Sequence, residues 1–293
     1  MKKTFYILTP PNHATGGIEA LYQLCDSINK QGGNAYIFFI GGENISVPSE
    51  YTHYDAPSVY HLTEEDGVIV IPEIWANIAI QHNIRGYTRI IWWLNVDNVN
   101  SSFDFFADDD IIHCYQSEYA RLFLSKNKAK KIAPLFDYLN EEYLNKKVTE
   151  NKLDIVCYSI KGASFAESIS SKINAEMIML KDMSRDKVID TLLKSKVFID
   201  FGNHPGKDRI PRESAILMNC VVTNKSGSAK NDFDVQIPAR YKIDDDSNAI
   251  SIINDCVINY ESRKSEFNDY RSTIISEKDE FFLQVKNIMN LNL

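Results

Sequence analysis

The sequence contains no long uninterrupted apolar run. None of its hydrophobic stretches approaches the roughly 20 residues that a membrane-spanning helix needs, so we expect no transmembrane segment. Cysteine is also sparse: its five residues are scattered singly, and no two have the spacing of metal ligands. An odd number of isolated cysteines does not indicate a disulfide framework. We therefore expect the protein to work in a reducing cytoplasm.

The chain is short of positive charge. It has 32 Lys and Arg residues against 40 Asp and Glu residues, which gives a formal charge of −8. A general nucleic-acid binder needs a basic face that displaces counterions from phosphates, so the composition argues against that class. With 44% hydrophobic and 25% charged residues, the composition is that of a globular protein.

The sequence does contain a regular alternation of short apolar runs and helical patterns. In the first 136 residues, five apolar runs read as strands: 5–8, 35–40, 67–71, 89–94 and 111–115. The third run ends in Pro72-Glu73, after which we expect a helix through about His82. A second series of strands follows at residues 154–158, 177–180, 197–199 and 220–222. Alternation of this kind predicts an α/β fold with doubly wound parallel sheets.

The predicted domain boundaries follow changes in composition. A chain of 293 residues is long enough for two domains of ordinary size. Polar, lysine-rich sequence separates the two alternating series. We predict, in chain order, a Rossmann-like domain at 1–136, a linker at 137–152, a second Rossmann-like domain at 153–264, and a final helix at 265–293.

The most informative stretch, residues 196–224, reads as strand, polar loop, helix and strand, with Asn219 expected to end the helix. The loop follows the carboxyl end of a strand, which is where ligands bind in an open parallel sheet. Lys207, Arg209 and Arg212 crowd the start of the helix, whose free N–H groups already favour an anion. The stretch therefore predicts a phosphate or carboxylate site; an ordinary connection with solvated charges is the alternative.

A second loop of interest lies between the first predicted strand and the first helix. It contains the pair Gly16 and Gly17 but does not follow the GxGxxG pattern, so a dinucleotide fingerprint is absent. A Gly-Gly pair still lets a ligand approach the backbone at the helix N-terminus. A tight turn that only packs the helix against the sheet is the alternative.

These features together resemble the GT-B glycosyltransferases, in particular family 4, whose members build bacterial surface polysaccharides. The matching segments are Gly16-Gly17-Ile18-Glu19 with Leu21 and Leu24, Ser159-Ile160-Lys161-Gly162, Arg212-Glu213-Ser214-Ala215 with residues 220–223, and Gly227-Ser228. The resemblance implies two Rossmann-like domains that face a central cleft, with the acceptor on the N-terminal side and the donor on the C-terminal side. It also implies that the final helix crosses back onto the N-terminal domain, and an apolar stripe of Phe281, Phe282, Val285 and Ile288 suits that packing.

The resemblance implies roles for the matching residues. Gly16 and Gly17 would face the donor diphosphate and the acceptor. Lys161 would belong to the basic site for the donor diphosphate, and Glu213 would bind the ribose of the donor nucleotide. Gly227 and Ser228 would form the glycine loop that follows.

The sequence departs from family 4 at two places. The family usually has a second glutamate eight positions before the ribose glutamate, and here that position is Pro205. Asp200, His204 and Asp208 are candidates to replace it, although none is aligned by spacing. The His-Asp pair that usually follows the fourth strand is replaced by Asn95-Val96-Asp97.

Transfer of a sugar from a nucleoside diphosphate requires stabilisation of the negative charge that develops on the leaving group. Without a metal, cations and helix N-termini must supply it, and Lys161, Lys207 and Arg209 are the candidates. If the reaction inverts the anomeric centre, the acceptor hydroxyl needs a base, for which His13 and Asp97 are the candidates. A retaining reaction does not strictly need one. We expect no cofactor and no metal.

Other functions stay open at this point. A metal-dependent GT-A transferase would need an Asp-x-Asp, which residues 108–110 and 232–234 match literally; such triplets are frequent in acidic chains. A non-catalytic nucleotide-sugar-binding protein, or a silent subunit of a glycosyltransferase, would fit the missing glutamate. A GT-B-like epimerase would interconvert a nucleotide sugar without an acceptor.

The leading hypothesis is a metal-independent hexosyltransferase that extends a cell-surface glycan of the lipopolysaccharide, O-antigen or capsule type. Its partners would be a nucleotide sugar and a glycan or lipid-linked saccharide acceptor, with no nucleic acid. The basic run at residues 126–131 suits anionic lipid, so the hypothesis includes a peripheral contact with the cytoplasmic face of the inner membrane. A solvated basic segment is the alternative.

Overall fold

The computed structural model describes residues 3–11, 15–40, 47–63, 66–99, 104–148 and 151–290. The chain divides into two units, each with its own parallel sheet. The first unit comprises Met1–Tyr138 and Lys278–Leu293, and the second comprises Leu139–Glu277. The predicted fold class, α/β with two Rossmann-like parallel-sheet domains, is confirmed.

The first unit is built on a seven-stranded sheet. Its strands are β1 Thr4–Thr9, β2 Asn34–Phe39, β3 Ser58–Val59, β4 Val68–Pro72, β5 Thr88–Trp93, β6 Ile111–Tyr115 and β7 Lys131–Pro134. They lie in the order β3-β2-β1-β4-β5-β6-β7, and all neighbours are parallel. Both β1 and β4 are buried along their whole length, which explains why they read as continuous apolar runs.

Helices connect the strands of the first unit. α1 spans Gly16–Lys30 and α2 spans Glu118–Lys126. The hydroxyls of Thr15 and Ser117 cap them, since each accepts a backbone N–H of the first turn. Short 3₁₀ helices lie at Ser49–Tyr51, Glu73–Ile80, His82–Ile84, Val96–Asn98 and Asp104–Ala107.

The C-terminal helix, α9 (Asn268–Met289), contributes its residues from Lys278 onwards to the first unit. Phe281 is fully buried there, with its ring centroid 6.4 Å from that of Trp92 and 5.2 Å from that of Tyr138. The side chain of Gln284 accepts the N–H of Phe136 over 2.7 Å. The apolar stripe of this helix therefore completes the core beneath the first sheet.

The second unit is built on a five-stranded parallel sheet. Its strands are β8 Leu153–Ser159, β9 Glu176–Leu180, β10 Ser195–Asp200, β11 Cys220–Asn224 and β12 Lys242–Ile243, in the order β12-β11-β10-β8-β9. Its helices are α3 Glu141–Leu144, α4 Ala163–Ile169, α5 Arg185–Lys194, α6 Arg209–Ile216, α7 Asp246–Ile258 and α8 Tyr260–Arg263, with α9 up to Glu277. Short 3₁₀ helices lie at Ile160–Gly162, Ser170–Lys172, Gly227–Lys230, Ala239–Tyr241 and Lys264–Phe267.

Two predicted helices differ from the structure. The helix expected after Pro72 is a 3₁₀ helix with non-helical backbone at Trp75 (φ −117°). The helix of the central stretch ends at Ile216, because Met218 adopts a positive φ of 66°. Asn219, which we expected to end that helix, instead donates its side-chain amide to the carbonyl of Ser195 over 2.7 Å.

Lys152 is a buried cation that binds three segments of the second unit together. Its ammonium donates to the carbonyls of Leu192, Ser195 and Leu217, over 2.9, 2.8 and 2.6 Å. Burial lowers the pKa of Lys152 to about 7, because an apolar environment disfavours the ammonium. The role of this lysine is structural, since its donors satisfy carbonyls at the ends of α5 and α6.

The structure also answers two questions raised by the composition, the state of the cysteines and the presence of membrane-spanning helices. All five cysteines are buried as free thiols. Among the described residues, no helix is both long enough and apolar enough to cross a bilayer.

Candidate functional site

The strand order of the second unit reverses between β8 and β10. The carboxyl ends of these strands form the topological switch point, where ligands bind in open α/β sheets. Ser159 ends β8, and its hydroxyl donates over 2.9 Å to Oδ1 of Asp200, which ends β10. The N–H of Gly202 donates to the same oxygen over 3.1 Å. One buried carboxylate thus links both strand ends.

Lys161 extends from the turn that follows β8. Its side chain is 47% exposed, and its ammonium lies 3.0 Å from Oδ1 of Asp208. Asp208 precedes α6 directly, so this carboxylate lies at the helix N-terminus. A Cβ on Gly202 would come within 2.4 Å of the Lys161 Cβ, so glycine allows the two loops to approach. The structure therefore places the predicted diphosphate-binding lysine at the switch point.

His204 lies between two carboxylates and is completely buried. Its Nδ1 is 3.0 Å from Oδ2 of Asp208, and its Nε2 is 3.4 Å from the carbonyl oxygen of Asp200. Burial of the ring by itself would lower the His204 pKa, but the hydrogen bond to Asp208 and the charges of both carboxylates outweigh it and raise the pKa above its usual value.

The two carboxylates respond differently to the same surroundings. Burial raises the pKa of Asp200, although the nearby imidazole offsets part of that effect. For Asp208, burial is outweighed by hydrogen bonds and charges from His204 and Lys161, so its pKa lies below the usual value. Lys161, Asp208, His204 and Asp200 therefore lie in a row in which basic and acidic side chains alternate.

The donor atoms of Asp200, His204 and Asp208 lie within 4.8 Å of one another, which is close enough for a shared metal ion. Each is already engaged, however: Asp208 with His204 and Lys161, and Asp200 Oδ1 with two hydrogen-bond donors. A metal ion here would displace the bond between imidazole and carboxylate and would lie beside an ammonium. In the arrangement described here, the three groups contact one another and Lys161.

Two of the three cations near the start of α6 face the protein interior. Lys207 and Arg212 are buried, and each lies 2.8 Å from a carboxylate oxygen of Glu277. Arg212 also donates to the backbone carbonyls of Asp208 and Lys207, over 3.4 and 3.1 Å. These cations hold the loop in place, and the ammonium of Lys207 is shielded from solvent.

Glu277 was not predicted from the sequence as a site residue, although its position in the chain gave one indication. It lies four residues before Phe281, in line with the buried stripe of α9. A carboxylate in a buried stripe needs a cation, since burying it alone is costly.

Arg209 and Glu213 lie on the same side of α6, because residues four apart on a helix are neighbours. Arg209 is the first helical residue and is half-buried, whereas the side chain of Glu213 is buried. Both predicted donor-binding residues therefore belong to the helix that begins beside the switch point.

Gly227 and Ser228 pack against the loop that carries His204. Gly227 has a positive φ of 52°, and a Cβ there would come within 1.9 Å of the His204 carbonyl oxygen. The N–H of Ser228 donates to that same oxygen over 2.8 Å, and its hydroxyl donates to the carbonyl of Gly206 over 2.6 Å. The predicted glycine loop thus joins the switch-point cluster, where it supports the backbone of the neighbouring loop.

In the first unit the strand order reverses between β1 and β4. Gly16 and Gly17 open α1 after β1, and among the described residues a Cβ on Gly17 would meet only the Leu94 side chain, at 3.8 Å. Glu19 is buried and accepts a hydrogen bond from the hydroxyl of Tyr54 over 3.0 Å. His13 lies outside the described residues.

Glu73 follows β4 directly at this second switch point, and sequence reasoning assigned it no role. Its carboxylate accepts the N–H of Leu94 over 3.1 Å and the side-chain amide of Asn98 over 2.8 Å. Burial raises the pKa of Glu73 despite these donors. The exposed residue Asp97 lies in the same turn, where its N–H donates to the side chain of Asn95 over 2.9 Å.

The acidic triplets considered for a GT-A metal site are engaged elsewhere. In the first, Asp108 and Asp110 pair with the buried Arg89, at 3.2 and 3.4 Å. In the second, Asp232 pairs with Lys242 at 2.7 Å. These ion pairs give both triplets a structural role.

No family model matches the chain, and no curated protein matches it in sequence. Solved structures do match. A glycosyltransferase from Rickettsia africae ESF-5 is 12% identical with a TM-score of 0.72, and the match covers 100% of both chains. Sucrose-phosphate synthase from Thermosynechococcus elongatus is 11% identical with a TM-score of 0.70, covering 98% of each chain.

HepE from Anabaena, solved with UDP and glucose, is 10% identical with a TM-score of 0.72. That match covers 98% of this chain and 99% of HepE. At these identities the similarity is one of fold. The chain therefore has the GT-B fold that these proteins share.

Proposed function

We propose that this protein is a glycosyltransferase that transfers a sugar from a nucleoside diphosphate sugar to a growing cell-surface glycan, without a metal ion. The observation that carries the proposal is the position of Lys161, an exposed ammonium at the switch point beside the N-terminus of α6. A leaving diphosphate needs positive charge and N–H groups at such a position. HepE, which shares the fold, has been solved with UDP-glucose, which favours a nucleotide sugar as donor.

In this proposal the second unit binds the donor. Lys161 and Arg209 bind the diphosphate, and Glu213 accepts hydrogen bonds from the ribose hydroxyls. Lys207 contributes indirectly, because its pairing with Glu277 holds the loop before α6. Gly227 and Ser228 support that loop from the other side.

The first unit is proposed to bind the acceptor, a glycan or a lipid-linked saccharide. Gly16 and Gly17 leave the N-terminus of α1 accessible to it. If the transfer is inverting, Asp97 or His13 takes the proton of the acceptor hydroxyl. The exposed basic run at residues 126–131 is proposed to contact anionic lipid at the cytoplasmic face of the inner membrane.

A thermal-shift screen against UDP, GDP, CMP, dTDP and ADP, with and without EDTA, tests the donor site. Ligand at a hundredfold excess over Kd adds about 2.7 kcal/mol to the stability of the folded state. We expect one nucleotide to raise the Tm of the wild type, equally with EDTA, but not that of Glu213→Ala. Glu167→Ala, which removes an exposed glutamate of α4, is the control and should keep the shift. No shift with any nucleotide would contradict the proposal.

A second assay separates a transferase from the other functions considered. The wild type is incubated with the nucleotide sugar of the base that binds, without an acceptor. Slow release of free sugar is expected of a transferase, because water replaces the acceptor. Binding without any release would instead favour a silent subunit, and conversion into a different nucleotide sugar would favour an epimerase.

A further inference from the structure

His204 joins three segments around the switch point of the second unit. Its ring contacts Asp208 at the start of α6 and the end of β10 at Asp200. Its carbonyl oxygen accepts the N–H of Ser228 from the following loop. The donor-binding roles proposed above assign nothing to this buried imidazole.

We propose that His204 is a positioning residue for Lys161: its imidazolium holds the carboxylate of Asp208, so that Lys161 can leave Asp208 and bind the donor diphosphate. The inference rests on the proposed function, because it requires an anionic donor beside Lys161. It concerns how the lysine becomes available rather than which group contacts the substrate.

Two side chains share the carboxylate of Asp208. Oδ1 of Asp208 lies 3.0 Å from the ammonium of Lys161, and Oδ2 lies 3.0 Å from Nδ1 of His204. When Lys161 turns to a phosphate, Asp208 keeps a charged partner only if the imidazole is protonated. With a neutral imidazole, the carboxylate would compete for the ammonium and repel the diphosphate.

Two neighbouring cations already have a different carboxylate as partner. Lys207 and Arg212 lie at the same helix start, but their charged groups pair with Glu277. The imidazolium, whose Nδ1 lies 3.0 Å from Oδ2 of Asp208, can balance that carboxylate once Lys161 has moved.

The groups that face the ring set the sign of the pH dependence. They are Asp208 from the start of α6 and Asp200 from the end of β10; Lys161, from the turn after β8, lies on the far side of Asp208. The following loop contributes the N–H of Ser228 to the backbone carbonyl rather than to the ring. Both carboxylates favour the imidazolium, so donor affinity should be present at low pH and fall as pH rises through the raised His204 pKa.

Isothermal titration calorimetry with UDP-, GDP-, ADP-, CDP- and dTDP-glucose, between about pH 6 and pH 9, tests this inference. The diphosphate diester of these probes has no proton to lose near neutral pH, so a change in affinity below the pH at which the bases lose their ring protons reports on the protein. For the probe that binds, affinity should fall by up to about tenfold per pH unit above the His204 pKa, the limit for one linked proton. Titrations in two buffers of different ionisation enthalpy should show proton uptake on binding.

Variants of the two partners should act in opposite directions. His204→Gln should bind about tenfold more weakly at the low-pH end and lose the pH dependence. Asp208→Asn should bind at least as tightly as the wild type and also lose the pH dependence, because the competing carboxylate is gone. The double variant should match Asp208→Asn, since the imidazolium acts through that carboxylate. His82→Gln, at an exposed histidine of the first unit, is the control and should match the wild type.

Thermal unfolding checks that each variant is folded. Asp208→Asn keeps the test valid if His204→Gln does not fold, because the Asp208 side chain is 22% exposed. A wild-type affinity that does not depend on pH, or unchanged affinity and pH dependence in His204→Gln, would overturn the inference and leave the proposed function standing. Failure of the wild type to bind any of the five probes would overturn the proposed function, and the inference with it.

Discussion

Acids lie beside the switch points of both units, but ion pairs with them are found beside that of the second unit. In the second unit, Glu277 pairs with Lys207 and Arg212, and Asp208 pairs with Lys161 and His204. Asp200, in the same unit, accepts hydrogen bonds from a hydroxyl and a backbone N–H instead. In the first unit, Glu73 accepts hydrogen bonds from a backbone N–H and an amide, and burial raises its pKa. A site built from ion pairs can exchange a charged partner for a charged ligand. A carboxyl group held by hydrogen bonds, as Glu73 is, is better suited to holding a turn in place.

The largest expected effect comes from breaking a buried ion pair of the second unit. Glu277→Gln leaves the cations of Lys207 and Arg212 without their carboxylate, at side-chain exposures of 8% and 0%. Removing one partner of a buried pair costs about 3–5 kcal/mol. We expect a loss of that size in the free energy of unfolding, measured by urea denaturation.

The matched control for this variant is Glu266→Gln. Glu266 also bonds two arginines, Arg240 and Arg263, but its side chain is 30% exposed. Exposed pairs contribute about 0–1 kcal/mol, so this variant should lose little. Equal losses in the free energy of unfolding of the two variants would show that burial does not explain the contribution of Glu277 to stability.

The next effect concerns binding rather than folding. Lys161→Ala removes the exposed ammonium that we propose for the diphosphate, so nucleotide-sugar affinity should fall by about 1.5–3 kcal/mol, the range for hydrogen bonds to charged groups. The free energy of unfolding should change by about 0.5 kcal/mol or less, as for other surface substitutions. Calorimetric titration and urea denaturation measure the two quantities.

Lys181→Ala is the control for the binding prediction. Lys181 is 50% exposed, and its ammonium lies 3.9 Å from a carboxylate oxygen of Asp182, so it resembles Lys161 in exposure. Its removal should leave the affinity unchanged. A similar loss of affinity in both variants would point to a general effect of net charge.

The smallest effect is expected at the buried acid of the first unit. Because the folded state raises the pKa of Glu73, the stability that this group contributes is present below its unfolded pKa and is lost as pH rises through the folded one. Glu73→Gln removes this dependence, so its stability relative to the wild type should rise with pH. The change at neutral pH should stay within about 1 kcal/mol.

Urea denaturation over a pH series checks this prediction. Asn98 can turn its amide so that its oxygen accepts from the new glutamine, which keeps a hydrogen bond at that position. A loss of several kcal/mol at neutral pH would mean that Glu73 is a charged partner after all, and the contrast between the units would fail.

The parallel strands could be predicted because a strand buried on both faces appears in the sequence as a short run of apolar residues. β1, β4 and β10 are mostly continuous apolar runs. Each can be identified from its own residues, without knowledge of its partner strand. β3 and β12 have two residues each, which is too short for any periodicity, and their pairing depends on the neighbouring strand. The end of α6 was placed too late because Met218 adopts a positive φ, which a methionine rarely does.

For the site, the local segments could be found, but their partners could not. Lys161 follows a predicted strand and Glu213 lies in a predicted helix, so both were identified from neighbouring residues. Whether a cation faces a ligand or the interior depends on groups far along the chain: Arg212 and Glu277 are 65 residues apart. Sequence reasoning therefore treated Lys207 like Lys161, although only the latter has an exposed ammonium.

The packing of α9 has a consequence for the order in which the chain can fold during its synthesis. The core of the first unit includes Phe281, Val285 and Ile288, which the ribosome adds about 140 residues after Tyr138, the difference between positions 138 and 278 in the division of the units. At translation rates of about 5–20 residues per second, that delay is on the order of ten seconds. Throughout this interval the apolar surface around Trp92 lacks its cover and is open to chaperones, so the half of the protein that is made first is the half that is finished last.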